Sequence, residues 1–326
     1  MYNLGVGFGG GMGIPVGISA CVLGQKVRFD GGHKRNRFAD EELSEYFDFK
    51  PVCPEVGIGM TVPRPTIRLQ DNSDRIALVD SRDHEIDYTD QMIAFADSQL
   101  PSFEHLRGYI VCAKSPTCGM ERVKLYLDNG NSVAGGSVGI YTQRLMDRMP
   151  WLPIEEDGRL QDPVLRENFI FRIYALDDLY RSIADGVTRD SIIKFHSRYK
   201  LCLMAHDPQA YRVLGPFVSD IHKWDDLNAF FVEYRQLFMD ALKQRASRKN
   251  NTNVLMHIQG YFKRDLDKPQ KAEFRDVIMR YRDGNLPLIA ALTLINHHLK
   301  VHPDSYLSDQ AYLELYPESL KLRYSL

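Results

Sequence analysis

The chain has 326 residues, 44% of them hydrophobic and 26% charged, with a net charge of −2. Such a composition describes a globular protein with room for roughly two domains. It excludes a global field that would draw the chain to nucleic acid, so any such contact must come from a local patch. Five cysteines, Cys21, Cys53, Cys112, Cys118 and Cys202, form an odd and sparse set. In a chain large enough to fold without staples they read as reduced thiols, which points to the cytoplasm.

Residues 1–13 hold six glycines, and Gly5-Val-Gly7-Phe-Gly-Gly10 matches G-x-G-x-x-G. That fingerprint has meaning only between a strand and a helix, and nothing strand-like precedes it, so a flexible tail is expected. Ile18-Ser-Ala-Cys21 resembles a lipoprotein cleavage site, but no Lys or Arg occurs before Lys26. A secretory leader carries positive charge ahead of its apolar stretch, and export is not expected. The longest apolar run, Leu286 to Ile295, ends in Asn296-His-His298. It falls short of the roughly 18 residues a membrane helix needs, and no membrane partner is expected.

Ile14 to Cys21 reads as a buried strand. The loop after it carries Arg28, Asp30, His33, Lys34, Arg35 and Arg37. It is either a solvated turn or an anion site that offsets thiolate charge. A helix is expected from Asp40 to Tyr46, then a second apolar segment, Lys50-Pro-Val-Cys-Pro-Glu55. Pro51 and Pro54 stiffen that loop and hold Cys53 and Glu55 in a set geometry. Gly57 to Pro65 is a second rigid loop: either Arg64 faces the same crevice from it, or both loops are simply turns.

A short strand follows at Ala77 to Asp80, and helical spacing at Tyr88 to Ser98. Tyr109-Ile-Val-Cys-Ala-Lys-Ser-Pro-Thr-Cys-Gly119 is a third β-branched run that ends in a cysteine-bearing loop. Cys112, within the strand, reads as a core thiol. Cys118 is the better ligand, with Lys114 and Ser115 beside it. The chain continues with Val123 to Leu127 and an Asp128-Asn-Gly-Asn131 turn. The glycines of Gly135 to Gly139 make either a phosphate cradle or a tight connection to a helix over Tyr141 to Met149. Trp151 to Pro163 reads as a loop, and a helix from Leu165 closes the first domain.

Strand ends of an open α/β sheet gather at one edge, where ligands bind, so Cys21, Cys53 and Cys118 are expected to meet. No standard zinc spacing fits them. Three thiolates suit an iron-sulfur cluster with one iron left open, which could act as a Lewis acid on a soft substrate atom.

Ile18-Ser-Ala-Cys21-Val-Leu-Gly, Arg28-Phe-Asp-Gly-Gly-His-Lys34, Pro51-Val-Cys-Pro-Glu55, Val62-Pro-Arg-Pro65 and Lys114-Ser-Pro-Thr-Cys-Gly119 together resemble the thiouracil desulfidase (TudS) family, over about residues 14–170. The resemblance implies a 4Fe-4S cluster on Cys21, Cys53 and Cys118, with Glu55 and Ser115 as catalytic residues. Arg28, Asp30, His33, Arg64 and Lys114 would then contact substrate.

Beyond about residue 190 apolar residues recur at helical spacing, as in Phe195, Tyr199, Cys202 and Leu203. An all-helical domain is expected there, with Cys202 in its core. Local basic runs cover Lys194 to Lys200, Lys243-Gln-Arg-Ala-Ser-Arg-Lys249 and Lys263-Arg264. Phe195 to His206, Asn253 to Lys263 and Gly284 to Leu288 resemble the helical domain of the RudS proteins, which act on 4-thiouridine in transfer RNA.

The expected architecture is thus a tail at 1–13, an α/β Rossmann-like desulfidase domain at 14–175 and an all-α, tRNA-binding domain at 188–326. Lys34, Arg35, Arg37, Lys200, Lys263 and Arg264 are the candidate RNA contacts, and no obligate protein partner is indicated. Two alternatives stay open: desulfuration of free thiouracil or thionucleotides, and a non-catalytic iron-sulfur sensor that binds nucleic acid.

Overall fold

A computed structural model of the chain describes residues 13–72, 74–127 and 129–323. The G-x-G-x-x-G match and the expected tail, apart from Gly13, lie outside the described residues. The chain divides into two compact units, Met1–Gln161 and Asp162–Leu326.

The first unit is α/β. Its strands are β1 (Ile14–Ser19), β2 (Phe47–Val52), β3 (Ile67–Asp71), β4 (Ile76–Asp80), β5 (Gly108–Val111), β6 (Leu125–Leu127) and β7 (Ile154–Glu156), and its helices are α1 (Pro54–Gly57), α2 (Thr89–Phe103) and α3 (Ile140–Arg148). Four strands form a wholly parallel sheet in the order β2-β1-β5-β7. Val16, Ile18, Ile110 and Val111 are fully buried, as a parallel sheet covered on both faces requires. The chain runs from β1 outward to β2, then returns to place β5 on the other flank of β1. That reversal opens a crevice at the carboxyl ends of β1 and β5, the usual ligand position in such sheets. A smaller sheet, β4-β3-β6, pairs β3 antiparallel with β4 and parallel with β6.

Three local expectations fail. Trp151 to Pro163 is not all loop, because Ile154–Glu156 forms β7 at the sheet's edge. Its glutamates look like surface residues in sequence, but Glu155, Glu156 and Asp157 are all buried. Their oxygens are taken up by hydrogen bonds: Glu156 Oε1 accepts from Met120 N (2.9 Å) and Glu121 N (3.2 Å), and Arg159 Nε donates to Glu155 Oε1 (2.6 Å). The helix expected at Asp40 to Tyr46 is a π turn over Phe38–Glu42 followed by a 3-10 turn over Leu43–Glu45. Strand β3 was not anticipated, since the prolines before it mask where it starts.

The second unit contains α4 (Pro163–Ser182), α5 (Arg189–His206), α6 (Pro208–Ser219), α7 (Leu227–Lys243), α8 (Arg248–Tyr261), α9 (Lys268–Arg282), α10 (Leu288–Val301) and the short α11 (Ser305–Ser308), with no strand among its described residues. The helix starts are written in the sequence: Asp162, Thr188, Asp207, Asp226, Ser247, Asp267 and Asp304 each cap a first turn with a side-chain oxygen, each such cap contributing about 1 kcal/mol. Phe230, Tyr234 and Phe238 recur every four residues on α7, with Tyr234 stacked on the other two, and Tyr234 and Phe238 meet Phe195 of α5. Cys202 is fully buried in this core. The helix begun near Leu165 lies in this unit. Among the described residues no helix is long and apolar enough to cross a membrane.

Candidate functional site

Cys21 follows β1, Cys53 follows β2, and Cys112 and Cys118 follow β5; all four line one cavity of about 330 Å³ at the carboxyl edge of the parallel sheet. Glu55, Ser115, Arg28, Arg64, Lys34 and Lys114 line the same cavity. The crevice therefore gathers residues from three strand ends. Cys112 is buried, as expected of a core thiol, but it lies past the end of β5 and lines the cavity together with Cys21.

Glu55 is the hub. Its Oε1 accepts from Thr117 Oγ1 at 2.5 Å, its Oε2 accepts from the Cys53 thiol at 3.3 Å, and Arg64 Nη2 stands 3.8 Å from Oε2. Ser115 Oγ lies 2.8 Å from Thr117 Oγ1 and accepts from the backbone N–H groups of Thr117 (3.3 Å) and Cys118 (3.1 Å). Since the one Thr117 proton is directed at the carboxylate, Ser115 donates to Thr117. A continuous hydroxyl chain thus runs from Ser115 through Thr117 to Glu55. Thr117 is fully buried and had no assigned role in the sequence; its place between Pro116 and Cys118 in a ligand loop was the available signal.

The loop is seated on α3. Ile140 N donates to Pro116 O (3.2 Å), Tyr141 N and Thr142 N donate to Thr117 O (3.1 and 3.2 Å), and Thr142 Oγ1 donates to Cys118 O (2.7 Å). The helix's first amides are occupied by this loop, so the Gly135 to Gly139 stretch is a tight connection and not a phosphate cradle. A Cβ on Gly139 would lie 2.4 Å from Thr117 O, a distance that only glycine avoids.

Cys21, Cys53 and Cys118 are poor anions in this setting. Burial, with the Glu55 charge next, pushes Cys53 up to about 11. Burial raises Cys118 well above the usual thiol range, reinforced by Glu55 and Cys112. Cys21 is raised by its hydrogen bond to Cys112 and then by burial. Cys112 is lowered by the same hydrogen bond, aided by the Lys34 and Arg28 charges. Several thiolates could coexist here only with added positive charge, which iron would supply. Among the described residues no three His, Cys, Asp or Glu side chains form a group that could hold a metal ion. Thiols spread around one cavity are instead suited to separate irons of a cluster, so the donor set fits that group.

The remaining candidates separate. Lys34 is turned to the cavity wall, where its Nζ donates to Asp157 Oδ1 (3.2 Å) and Ala113 O (3.3 Å). Arg64 Nη1 donates to Val27 O at 2.9 Å. Lys114 has a left-handed backbone (φ 64°) and an exposed side chain. Asp30 and His33 are exposed and do not line the cavity; Asp30 Oδ1 accepts from Gly32 N, and His33 Nδ1 accepts from Arg35 N. Arg35 is exposed but neutralised by Asp40 (2.5 Å) and Glu41 (3.1 Å), and Arg37 is exposed. In the second unit Lys263 and Arg264 are exposed just past α8, and Lys200 is half-buried on α5.

Residues 16–157 match the family model described as 2-thiouracil desulfurase, and residues 200–317 match a family described as protein of unknown function (DUF1722). The uncharacterized protein YbgA of Escherichia coli strain K12 is 42% identical over 159 residues, spanning 49% of this chain and 94% of YbgA. A solved structure of the [4Fe-4S]-dependent thiouracil desulfidase TudS is similar at 25% identity, over 47% of this chain and 95% of that one, with a TM-score of 0.36.

Proposed function

This chain belongs to the family of the Escherichia coli protein YbgA, and from its first unit we propose that it is an iron-sulfur-dependent desulfidase that replaces the sulfur of a thiolated pyrimidine with oxygen. The observation that carries this reading is the meeting of Cys21, Cys53 and Cys118 with Glu55 and Ser115 in one cavity. The desulfurase match over residues 16–157 supports it independently.

Cys21, Cys53 and Cys118 would hold a 4Fe-4S cluster, which would supply Lewis acidity toward a soft thiocarbonyl sulfur. Glu55 acts as general base toward the attacking water, steadied by Arg64 and by the Thr117 hydroxyl. Ser115 and Thr117 pass a proton along the chain that ends at Glu55, while Arg28 and Lys114 line the approach for an electron-rich ring. Thiocarbonyl and water become carbonyl and hydrogen sulfide, with no net change in electrons. The favoured substrate is 4-thiouridine in tRNA, supported by the exposed cations Lys263 and Arg264 beside Tyr261, a pattern that suits an RNA backbone and unpaired bases.

The test is anaerobic cluster reconstitution, followed by loss of thiouridine absorption in bulk bacterial tRNA with Cys118→Ala as control. Conversion of free thiouracil alone would move the substrate to the small molecule. A full cluster with neither activity would favour the nucleic-acid-binding sensor.

A further inference from the structure

A second cavity, of about 160 Å³, opens in the helical unit where the starts of α4, α8 and α10 meet the ends of α5 and α9. Arg245, Arg248 and Arg323 line it, and the carboxylate that lines it is Glu167. Two of these arginines come from the basic run Lys243 to Lys249, whose role the first unit leaves unassigned. Three guanidinium groups against one carboxylate leave a net charge of +2 (3 − 1) on the lining, because burial lowers the His206 pKa to about 4 and keeps that ring neutral.

The arginines are set in place, not loosely splayed. Arg248 Nη1 donates to Tyr281 O at 2.6 Å while its guanidinium lies 5.0 Å from the Tyr281 ring. Arg323 Nη1 donates to Tyr312 O at 2.8 Å, and its guanidinium lies 5.6 and 5.1 Å from the Tyr312 and Tyr316 rings. The Arg323 side chain is 8% exposed, its Nε stands 3.5 Å from Glu167 Oε1, and that Nε makes no hydrogen bond among the described residues. Arg245 is exposed at the rim. The cavity also abuts the amino end of α8, a 14-residue helix whose dipole adds positive potential. Only Arg323 of the three is buried, and Glu167 is the one carboxylate among the lining residues, so the lining's surplus positive charge and the Arg323 Nε without a hydrogen bond suit an anion with several acceptor oxygens.

We infer that this cavity binds a phosphate-class oxyanion, with Arg245 and Arg248 as its principal contacts and Arg323 as the buried base of the site. The anion is either a phosphodiester of bound RNA or a free phosphate or nucleotide. The RNA source rests on the tRNA reading given above; the anion site does not.

The test uses the full-length protein and reads binding without turnover, so a failure of the desulfidase reading would leave its results intact. Inorganic phosphate is titrated by calorimetry, and tRNA by fluorescence anisotropy across a salt series. Arg245→Ala should weaken phosphate by at least about fivefold, as loss of a charge-assisted contact implies. Glu167→Gln should tighten it, and Lys249→Ala, next along the run but outside the lining, should leave it unchanged. If RNA is the source, Arg245→Ala also lowers the salt slope of tRNA binding by about one. Phosphate binding that follows this pattern with an unchanged tRNA slope assigns the site to free phosphate or nucleotide. Absence of phosphate binding, or an affinity indifferent to both Arg245→Ala and Glu167→Gln, overturns the inference.

Discussion

Thr117 Oγ1 stands 2.5 Å from Glu55 Oε1 and 2.8 Å from Ser115 Oγ, so a buried threonine links the two residues proposed as catalytic. Thr117→Val keeps the shape and removes the link. We expect turnover to fall by about 10- to 100-fold, a part of what general-base catalysis contributes, with iron content unchanged. Thr117→Ser should restore most of the rate. A Thr117→Val enzyme with wild-type turnover would dismiss the relay.

Cys112 shares the cavity with the three proposed ligands, and only substitution separates it from them. Cys21→Ser, Cys53→Ser and Cys118→Ser should each lose most bound iron and sulfide and the visible absorption of the cluster. Cys112→Ser should retain them. Equal loss in Cys112→Ser would make it a ligand and leave no open iron.

Gly139 touches the ligand loop through backbone alone. In Gly139→Ala the new methyl meets Thr117 O at 2.4 Å, and the atoms it meets are main chain, so relief requires moving the loop. A destabilisation of about 1–3 kcal/mol is expected, seen as a lowered unfolding midpoint of the first unit and poorer iron retention. An unshifted midpoint would show that the loop is not clamped there.

His196 gives the helical unit an acid sensitivity. It is buried beside Tyr234, whose hydroxyl lies 3.2 Å from Nδ1, and burial, helped by the Lys200 charge, lowers its pKa to about 4. The unfolded chain takes up the proton near pH 6.5 and the folded one only near 4, so stability is whole above 6.5 and declines as pH falls through that window. The loss at the acid end is on the order of 3 kcal/mol. Urea unfolding between pH 7 and 4 should show this slope, and His196→Gln should flatten it. Equal slopes would place the acid response elsewhere.

Much of this was legible in the sequence because the physics is local. A β-branched run that ends in a cysteine announces a strand and its exit, and Asp-Pro or Thr before an apolar period announces a helix start. Cys21, Cys53 and Cys118 could therefore be brought to one edge without coordinates. What stayed hidden depends on partners distant in the chain. Glu155 and Glu156 look like loop residues until Met120, Glu121 and Arg159 supply their hydrogen bonds. Lys34 looks like one more surface cation until Asp157, far along the chain, claims it. Cys112 looked like core because its strand's last residue could not be fixed to within one position. Thr117 carried no charge to draw the eye.

The order β2-β1-β5-β7 also bears on how the protein is made. The proposed ligands leave three strands that are not consecutive in the chain, so no two-ligand fragment near the start of synthesis can hold the cluster as the complete unit does. Ligation by the proposed ligands would join Cys21 to Cys118 and close a very long loop of chain, much as a cross-link would, and so withdraw entropy from the unfolded state. If those cysteines hold the cluster, it would be both reagent and fastener, gaining all its ligands only once the parallel sheet has assembled, and its removal would loosen the crevice.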